Sequence, residues 1–246
     1  MITSPCLVGC CGWTQAQTKY FGAFDTIELQ TTFYQPPASA VAARWKAAAP
    51  PGFRFCMKAW QLITHTPASP TYRRLKSGIS PSEKSLYGRF LPTEQVSLAW
   101  ERTREIADLV DARVIIFQCP ASFVPTPENI ANLNRFFQGI ERADRLLAWE
   151  PRGDDWSTAL IRDLCAANNL IHCVDPFSRK AAYGRSLYWR LHGRGGYRYR
   201  YTEDDLTELV TRLREFSQLP GPNYVMFNNL SSREDALRFK ALIAQQ

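Results

Sequence analysis

No apolar run in this 246-residue sequence approaches the ~18 residues that a membrane-spanning helix requires. Only three histidines are present, and neither H-x-x-x-H nor H-x-H occurs. C-x-x-C is missing as well, so no ready-made zinc site is legible. The phosphate-cradling G-x-x-x-x-G-K-[ST], a G-x-G-x-x-G after a strand, and G-x-S-x-G are all absent. These absences argue against nucleotide-dependent phosphoryl transfer and serine-hydrolase chemistry. There is no Gly/Ser linker, internal repeat or low-complexity tract, so one domain over residues 1–246 is expected. The opening Met1-Ile2-Thr3-Ser4-Pro5 has no basic region leading into an apolar stretch, so no secretory leader is expected. The expected location is the cytoplasm, with no membrane partner.

Hydrophobic residues make up 45% of the chain and aromatics 13%, enough for one large core. Seven cysteines is an odd number, and five (Cys6, Cys10, Cys56, Cys119, Cys173) lie in or beside apolar runs. Reduced, buried thiols are the simplest reading. Cys10 and Cys11 are adjacent, so they point to opposite faces of a strand, and Cys11 is the one that can reach a strand-end site. The net charge of +7 suits an anionic substrate or nucleic acid.

Eight short apolar runs recur, and nearly every one ends in a polar or charged residue. They are Cys6–Cys11, Thr26–Gln30, Phe53–Lys58, Val114–Gln118, Leu146–Glu150, Ile171–Asp175, Leu187–His192 and Tyr224–Asn228. Helical signals lie between them. Ser39–Ala49 stops at Pro50-Pro51, and Thr93–Val110 carries Val96, Trp100, Ile106 and Val110 on one stripe. Thr126-Pro127-Glu128 starts a helix, and Asp155–Asn168 gathers Leu160, Leu164 and Ala167. Thr202-Glu203-Asp204-Asp205 opens a helix to about Gln218, and Ser231 with Glu234 reads as a capping box for the last one. Strand–helix alternation of this length predicts an α/β fold, a (β/α)₈ barrel of the TIM type, whose usual size is ~250 residues. Two connections depart from the ideal: Trp13–Phe24 is short for a helix, and Thr66–Pro92 is a long basic loop of the kind used as a lid or binding element. The sixth connection also reads as irregular.

In such a barrel the active site lies at the carboxyl ends of the strands. The runs place Glu28, Gln30, Lys58, Gln118, Glu150, Asp175, Arg190, His192 and Asn228 there, with Tyr34, His65 and Arg152 following closely. Carboxylates, a lysine and histidines converging on one mouth suit general acid–base catalysis, with Glu28, Lys58, Glu150, Asp175 and His192 as the candidates. The alternative is an internal ion-pair network that holds the barrel. Gly193–Gly196 lies between the Arg190/His192 strand and the helix at Thr202, which predicts an anion site on backbone amides and a helix N-terminus. No cofactor is implied by a motif. A divalent ion on the Glu, Asp and His strand ends is the one metal alternative, with Lys58 and Arg190 competing against it. His172 reads as a satisfied core histidine.

Several of these segments together resemble a known family, the YecE-like proteins (domain of unknown function 72). They are Gly12-Trp13, Thr26–Tyr34, Phe53–Lys58 with Ile63-Thr64-His65, Phe117-Gln118-Cys119-Pro120 with Phe123, and Trp149-Glu150-Pro151-Arg152. Arg190-Leu191-His192-Gly193, Tyr197, Tyr201 and Phe227-Asn228-Asn229 complete the set. The resemblance runs in order along essentially the whole chain. It implies a (β/α)₈ barrel with a polar strand-end cleft, and adds Trp13, Gly193, Tyr201 and Asn229 to the binding candidates. It supplies no reaction. Pro151 stands where the family pattern reads Phe, and it fixes the backbone between Glu150 and Arg152.

Three functions are therefore expected in descending order. The first is an enzyme acting by acid–base chemistry on a small anionic or polyhydroxylated, sugar-phosphate-like molecule. The second is a nucleic-acid-binding or -processing protein using the basic Thr66–Pro92 and Arg194–Arg200 rim. The third is a non-catalytic ligand sensor. The oligomeric state stays open.

Overall fold

The computed structural model describes residues 4–216 and 218–245. The first three residues, on which the leader reading bears, lie outside them. Eight parallel strands form the barrel: β1 (Cys6–Cys11), β2 (Thr26–Leu29), β3 (Arg54–Lys58), β4 (Ala112–Gln118), β5 (Leu146–Glu150), β6 (Leu170–His172), β7 (Tyr188–Leu191) and β8 (Asn223–Phe227). The hydrogen-bonded order is β6-β5-β4-β3-β2-β1-β8-β7. The ring closes between β6 and β7 just past the end of β6. There Val174 bridges Trp189, the Val174 amide donates to the Tyr188 carbonyl at 3.3 Å, and the Arg190 amide donates to Val174 at 2.9 Å.

The two-residue period of each strand sorts its side chains. Cys56, Val114, Ile116, Ala148, Ile171, Tyr188, Tyr224 and Met226 turn inward and fill the barrel. Phe55, Met57, Ile115, Phe117, Leu147, Trp149 and Trp189 turn outward under the helices. At the inner carboxyl end, the next residues on the inward face are Glu28, Lys58, Gln118, Glu150 and Arg190. The alternation that packs the core thus also builds the floor of the mouth. Cys10 is buried on the outer face, its thiol near the Ser232 carbonyl, while Cys11 faces inward beside Arg190.

The outer layer comprises α1 (Gln17–Ala23), α2 (Thr31–Tyr34), α3 (Ser39–Ala48), α4 (Gln61–Thr64), α5 (Glu94–Val110), α6 (Pro127–Gly139), α7 (Thr158–Ala167), α8 (Glu203–Arg214) and α9 (Ser232–Ala244). The hydroxyls of Thr93, Thr126 and Ser157 accept the amides of Val96, Asn129 and Leu160, capping α5, α6 and α7. Thr202 and Asp205 form a reciprocal capping box on α8. No helix among the described residues is long and apolar enough to cross a membrane.

The connections follow the expected departures: α1 has only seven residues, and 66–92 carries two short 3₁₀ turns in place of a full helix. The sixth connection has no α-helix. Four expectations need correction. The sixth strand ends at His172, leaving Asp175 in the loop beyond it. Gln30 is not a strand residue, because the chain turns at it into α2. Helix α8 ends at Arg214, short of Gln218, and Ser217 on that path lies outside the described residues. Ser231 makes no side-chain cap on α9, so that capping box is not formed.

Candidate active site

Arg190 is the centre of the mouth, fully buried on the inner face of β7. Its Nε donates to both oxygens of Glu28 at 3.0 and 3.1 Å, and its Nη1 donates to Glu150 Oε2 at 2.5 Å. Nη1 also reaches Gln118 Oε1 at 3.3 Å. The Tyr188 hydroxyl donates to Glu28 at 2.9 Å, and Gln30 Nε2 donates to the same carboxylate. One guanidinium therefore joins side chains from β2, β4 and β5. A planar, always-charged fork suits two carboxylates at once. Burial opposes ionisation of Glu150, but Arg190 and then Arg152 overcome it and hold the carboxyl down at about 2. Glu150 is therefore a carboxylate at neutral pH. The thiols of Cys11 and Cys173 flank the network, and burial pushes both well above the ordinary range, so they stay protonated.

Lys58 lies next in the ring. Its Nζ donates to Gln118 Oε1 at 2.8 Å and sits 3.9 Å from the Phe33 ring centroid. Burial, then repulsion from Arg190, pulls its pKa from 10.5 to about 7. His65 packs edge-on against the same Phe33 ring, at 4.9 Å, and its Nδ1 meets the Thr64 hydroxyl at 2.8 Å. Burial, then Lys58, lowers His65 to about 3, so it is neutral.

At the β5–β6 side of the mouth, sharing Glu150 with this network, lies a cavity of about 530 Å³ bordered also by Arg152, Asp175, Ser178, Arg179 and His192. Asp175 accepts the Phe177 amide at 3.0 Å on one oxygen and the His192 amide at 2.8 Å on the other. That second oxygen is 3.6 Å from His192 Nδ1, and His192 Nε2 is 3.5 Å from Arg190 Nη1. His192 is about one-third exposed, so its ring meets the cavity while Asp175 fixes its backbone. Arg152 turns back over the mouth despite Pro151: its Nε donates to Glu150 Oε1 at 3.0 Å.

The other candidates divide. Asn228 follows β8 at the mouth, half-buried, and its side-chain amide makes no hydrogen bond among the described residues. Tyr34 is stacked by Arg74, 3.6 Å from the ring centroid, and both line a separate cavity of about 740 Å³ with Trp45 and Lys76. Trp13 packs edge-on to Tyr20 and Phe21 under β1. Asn229 donates to the Tyr199 carbonyl and to Asp235, tying the end of β8 to the loop before α8. Tyr201 is buried, stacks on Phe177, and accepts the Gly193 amide at 2.8 Å.

That last contact bears on the glycine loop. Gly193 has φ +89, and a Cβ there would lie 2.3 Å from the Gly196 carbonyl oxygen, so glycine is required by the turn itself. Its amide is used by Tyr201, and the Asp205 carboxylate takes the Thr202 amide. The first turn of α8 carries Glu203, Asp204 and Asp205. The expected anion site is therefore corrected: the helix end that would attract an anion already holds three carboxylates. Part of the basic rim is likewise committed, with Arg194 on Asp205 and Glu208.

A divalent ion does not fit the donor set. Among the described residues no three of His, Cys, Asp and Glu are grouped to hold one. Glu28 and Glu150 share Arg190 between them, and a metal would have to displace that buried guanidinium. His172 lies on the outer face, its Nδ1 accepting the Ala182 amide at 3.0 Å. Sequence reasoning passed over Tyr188, Ser178 and Arg179. Tyr188 precedes Arg190 by one strand period, which was a readable signal. Ser178 and Arg179 stand in an irregular segment, where only their nearness in sequence to Asp175 pointed to the mouth.

The family model described as "Protein of unknown function DUF72" matches residues 7–246, and the chain belongs to that family. A DUF72 family protein of Enterococcus faecalis V583 has a similar structure, with TM-score 0.77, 21% identity, and 99% of each chain covered. One from Thermotoga maritima MSB8 gives 0.74 at 19% identity, covering 98% of this chain and 99% of that one. A D-allulose 3-epimerase from Methylomonas sp., solved with D-allulose, gives 0.58 at 11% identity, covering 98% and 97%. At these identities the likenesses establish the barrel fold. No curated protein matches in sequence.

Proposed function

We propose that this chain, acting as one domain, is an enzyme that moves protons on a small polyhydroxylated, sugar-like molecule bound in the strand-end cavity. The observation that carries the reading is the His192–Asp175 pair facing the same cavity as a Glu150 carboxylate held ionised by Arg190. Imidazole is the side chain suited to giving and taking protons near neutral pH. Asp175 positions the ring, His192 moves the proton, and Glu150 stays ionised beside it as a fixed negative charge. The barrel shared with an epimerase that binds D-allulose supports a sugar-sized ligand. Seven free thiols, five of them buried, support a reducing compartment such as the cytoplasm.

The test is solvent exchange. Aldoses, ketoses and their phosphates are incubated with the protein in D₂O, and deuterium incorporation next to the carbonyl is followed by proton NMR. Incorporation into at least one of them is expected, and His192→Asn should slow it by about 10²- to 10⁴-fold. A panel that exchanges no proton, or a His192→Asn protein as fast as wild type, counts against the reading.

A further inference from the structure

We infer that the β5–β6 side of the cavity is an oxyanion subsite, built by Arg152, Ser178 and Arg179, that receives a phosphate or carboxylate carried by the substrate. The inference rests on the proposed sugar-like ligand and places its charged end. Arg152 spends only its Nε, on Glu150, so both terminal amino groups remain without an acceptor among the described residues. Among the described residues the Arg179 side chain makes a single long contact, Nη1 to the Trp156 carbonyl at 3.4 Å, and its Nε and Nη2 have none. The Ser178 hydroxyl likewise has no hydrogen-bond partner among the described residues. All three side chains border the same 530 Å³ cavity.

The acceptors nearby are differently placed. Glu150 is occupied by Arg190 and Arg152, and both oxygens of Asp175 take backbone amides. Asp154 also borders the cavity and is exposed to solvent, as Arg152 and Ser178 are. The site therefore presents two guanidinium groups with unspent donors against a single carboxylate unbonded among the described residues, Asp154, and planar Arg forks are suited to phosphate and carboxylate. The turn is pre-shaped, because the amides of Ser178 and Arg179 both donate to the Asp175 carbonyl at 3.0 Å. Asp175 thus holds His192 with its side chain and the anion-facing turn with its backbone, which couples the charged end of a ligand to the proton-moving end.

Inorganic phosphate and acetate are the probes, titrated calorimetrically into the full chain at fixed chloride concentration. Saturable binding is expected, weakened at least about tenfold in Arg179→Gln and in Arg152→Gln. Arg179→Lys should recover part of the loss, and Arg198→Gln, in the glycine loop, should leave the affinity unchanged. Circular dichroism checks that each variant is folded. No saturable binding, or binding indifferent to Arg152 and Arg179, overturns the subsite. The two proposals fail separately. His192→Asn that loses exchange but keeps phosphate bears only on catalysis. Exchange on neutral sugars with no anion binding removes only the subsite.

Discussion

Arg190 satisfies two buried carboxylates, so its removal costs more than the bonds it makes. Arg190→Met would leave Glu28 buried without its ion-pair partner and Glu150 with Arg152 alone, and an uncompensated buried charge typically costs about 3–5 kcal/mol. Urea unfolding should show that loss, and adding Glu28→Gln and Glu150→Gln should return much of it. Lys58 gives a signed dependence on pH. Its pKa is about 7 folded against an ordinary 10.5, so between those values the unfolded chain holds a proton that the folded chain lacks. The penalty is full below 7, and stability from this group rises as pH climbs toward 10.5. Desolvated thiols run the other way, with the partly buried Cys6 and the buried Cys10, Cys56 and Cys165 raised from 9.0 to about 12. The difference in unfolding free energy between wild type and Lys58→Met isolates the lysine, and it should shift in favour of wild type as pH rises. A flat difference would mean that the ammonium is not desolvated in the fold.

Among the elements, the 66–92 segment is clasped at both ends. Arg74 stacks on Tyr34, and the amides of Gly88 and Phe90 donate back to the carbonyls of Leu62 and Ile63 in α4. Gly88 has φ +85, and a Cβ would lie 2.4 Å from the His65 carbonyl oxygen. Gly88→Ala should therefore destabilise by about 3 kcal/mol through overpacking and a disfavoured backbone angle. It should also speed protease cleavage in this segment; unchanged cleavage would show that the clasp does not hold the loop.

Legibility in the sequence divides along the same elements. Strands whose inward face alternates with an outward one, such as Arg54–Lys58 and Leu146–Glu150, could be read with their terminal polar residue. Gln30 shares the period of Glu28, yet the chain leaves the sheet there, a choice made by α2 packing on β3. The Ile171–Asp175 run looks continuous, but its residue pairing with β5 ends at His172, and on the opposite edge the His172 amide donates to the Tyr183 carbonyl of the loop that replaces the sixth helix. The glycine loop suggested an anion site from composition, while Glu203, Asp204 and Asp205 just beyond it carried the opposing charge. Ser178 and Arg179 had no period to reveal them.

At the scale of the molecule, the ring is uneven. Neighbouring strands β4 and β5 pair over five residues, whereas β6 and β7 are joined through a single bridge at Val174. Native-state hydrogen exchange should therefore find the amides of Val174 and Arg190 opening at lower free energy than those of Ile115 and Ile116. Equal protection around the ring would mean that the closing loop stabilises the seam as fully as a strand pair.

The Arg190 network has a consequence for how the ring can be assembled. Its members come from five strands, with Glu28 and Lys58 early in the chain and Glu150 and Arg190 late. Strands one to four wound alone would enclose an acid and an amine with no guanidinium to join them. Strands five to eight would hold the guanidinium with one of its two acids. A slip of β7 by one residue would carry Arg190 to the outer face and bring Trp189 inside. Correct winding is thus checked by charge as well as by shape, and a chain cut between the fourth and fifth strands would yield two pieces that recognise each other as lock and key halves of one ionic joint.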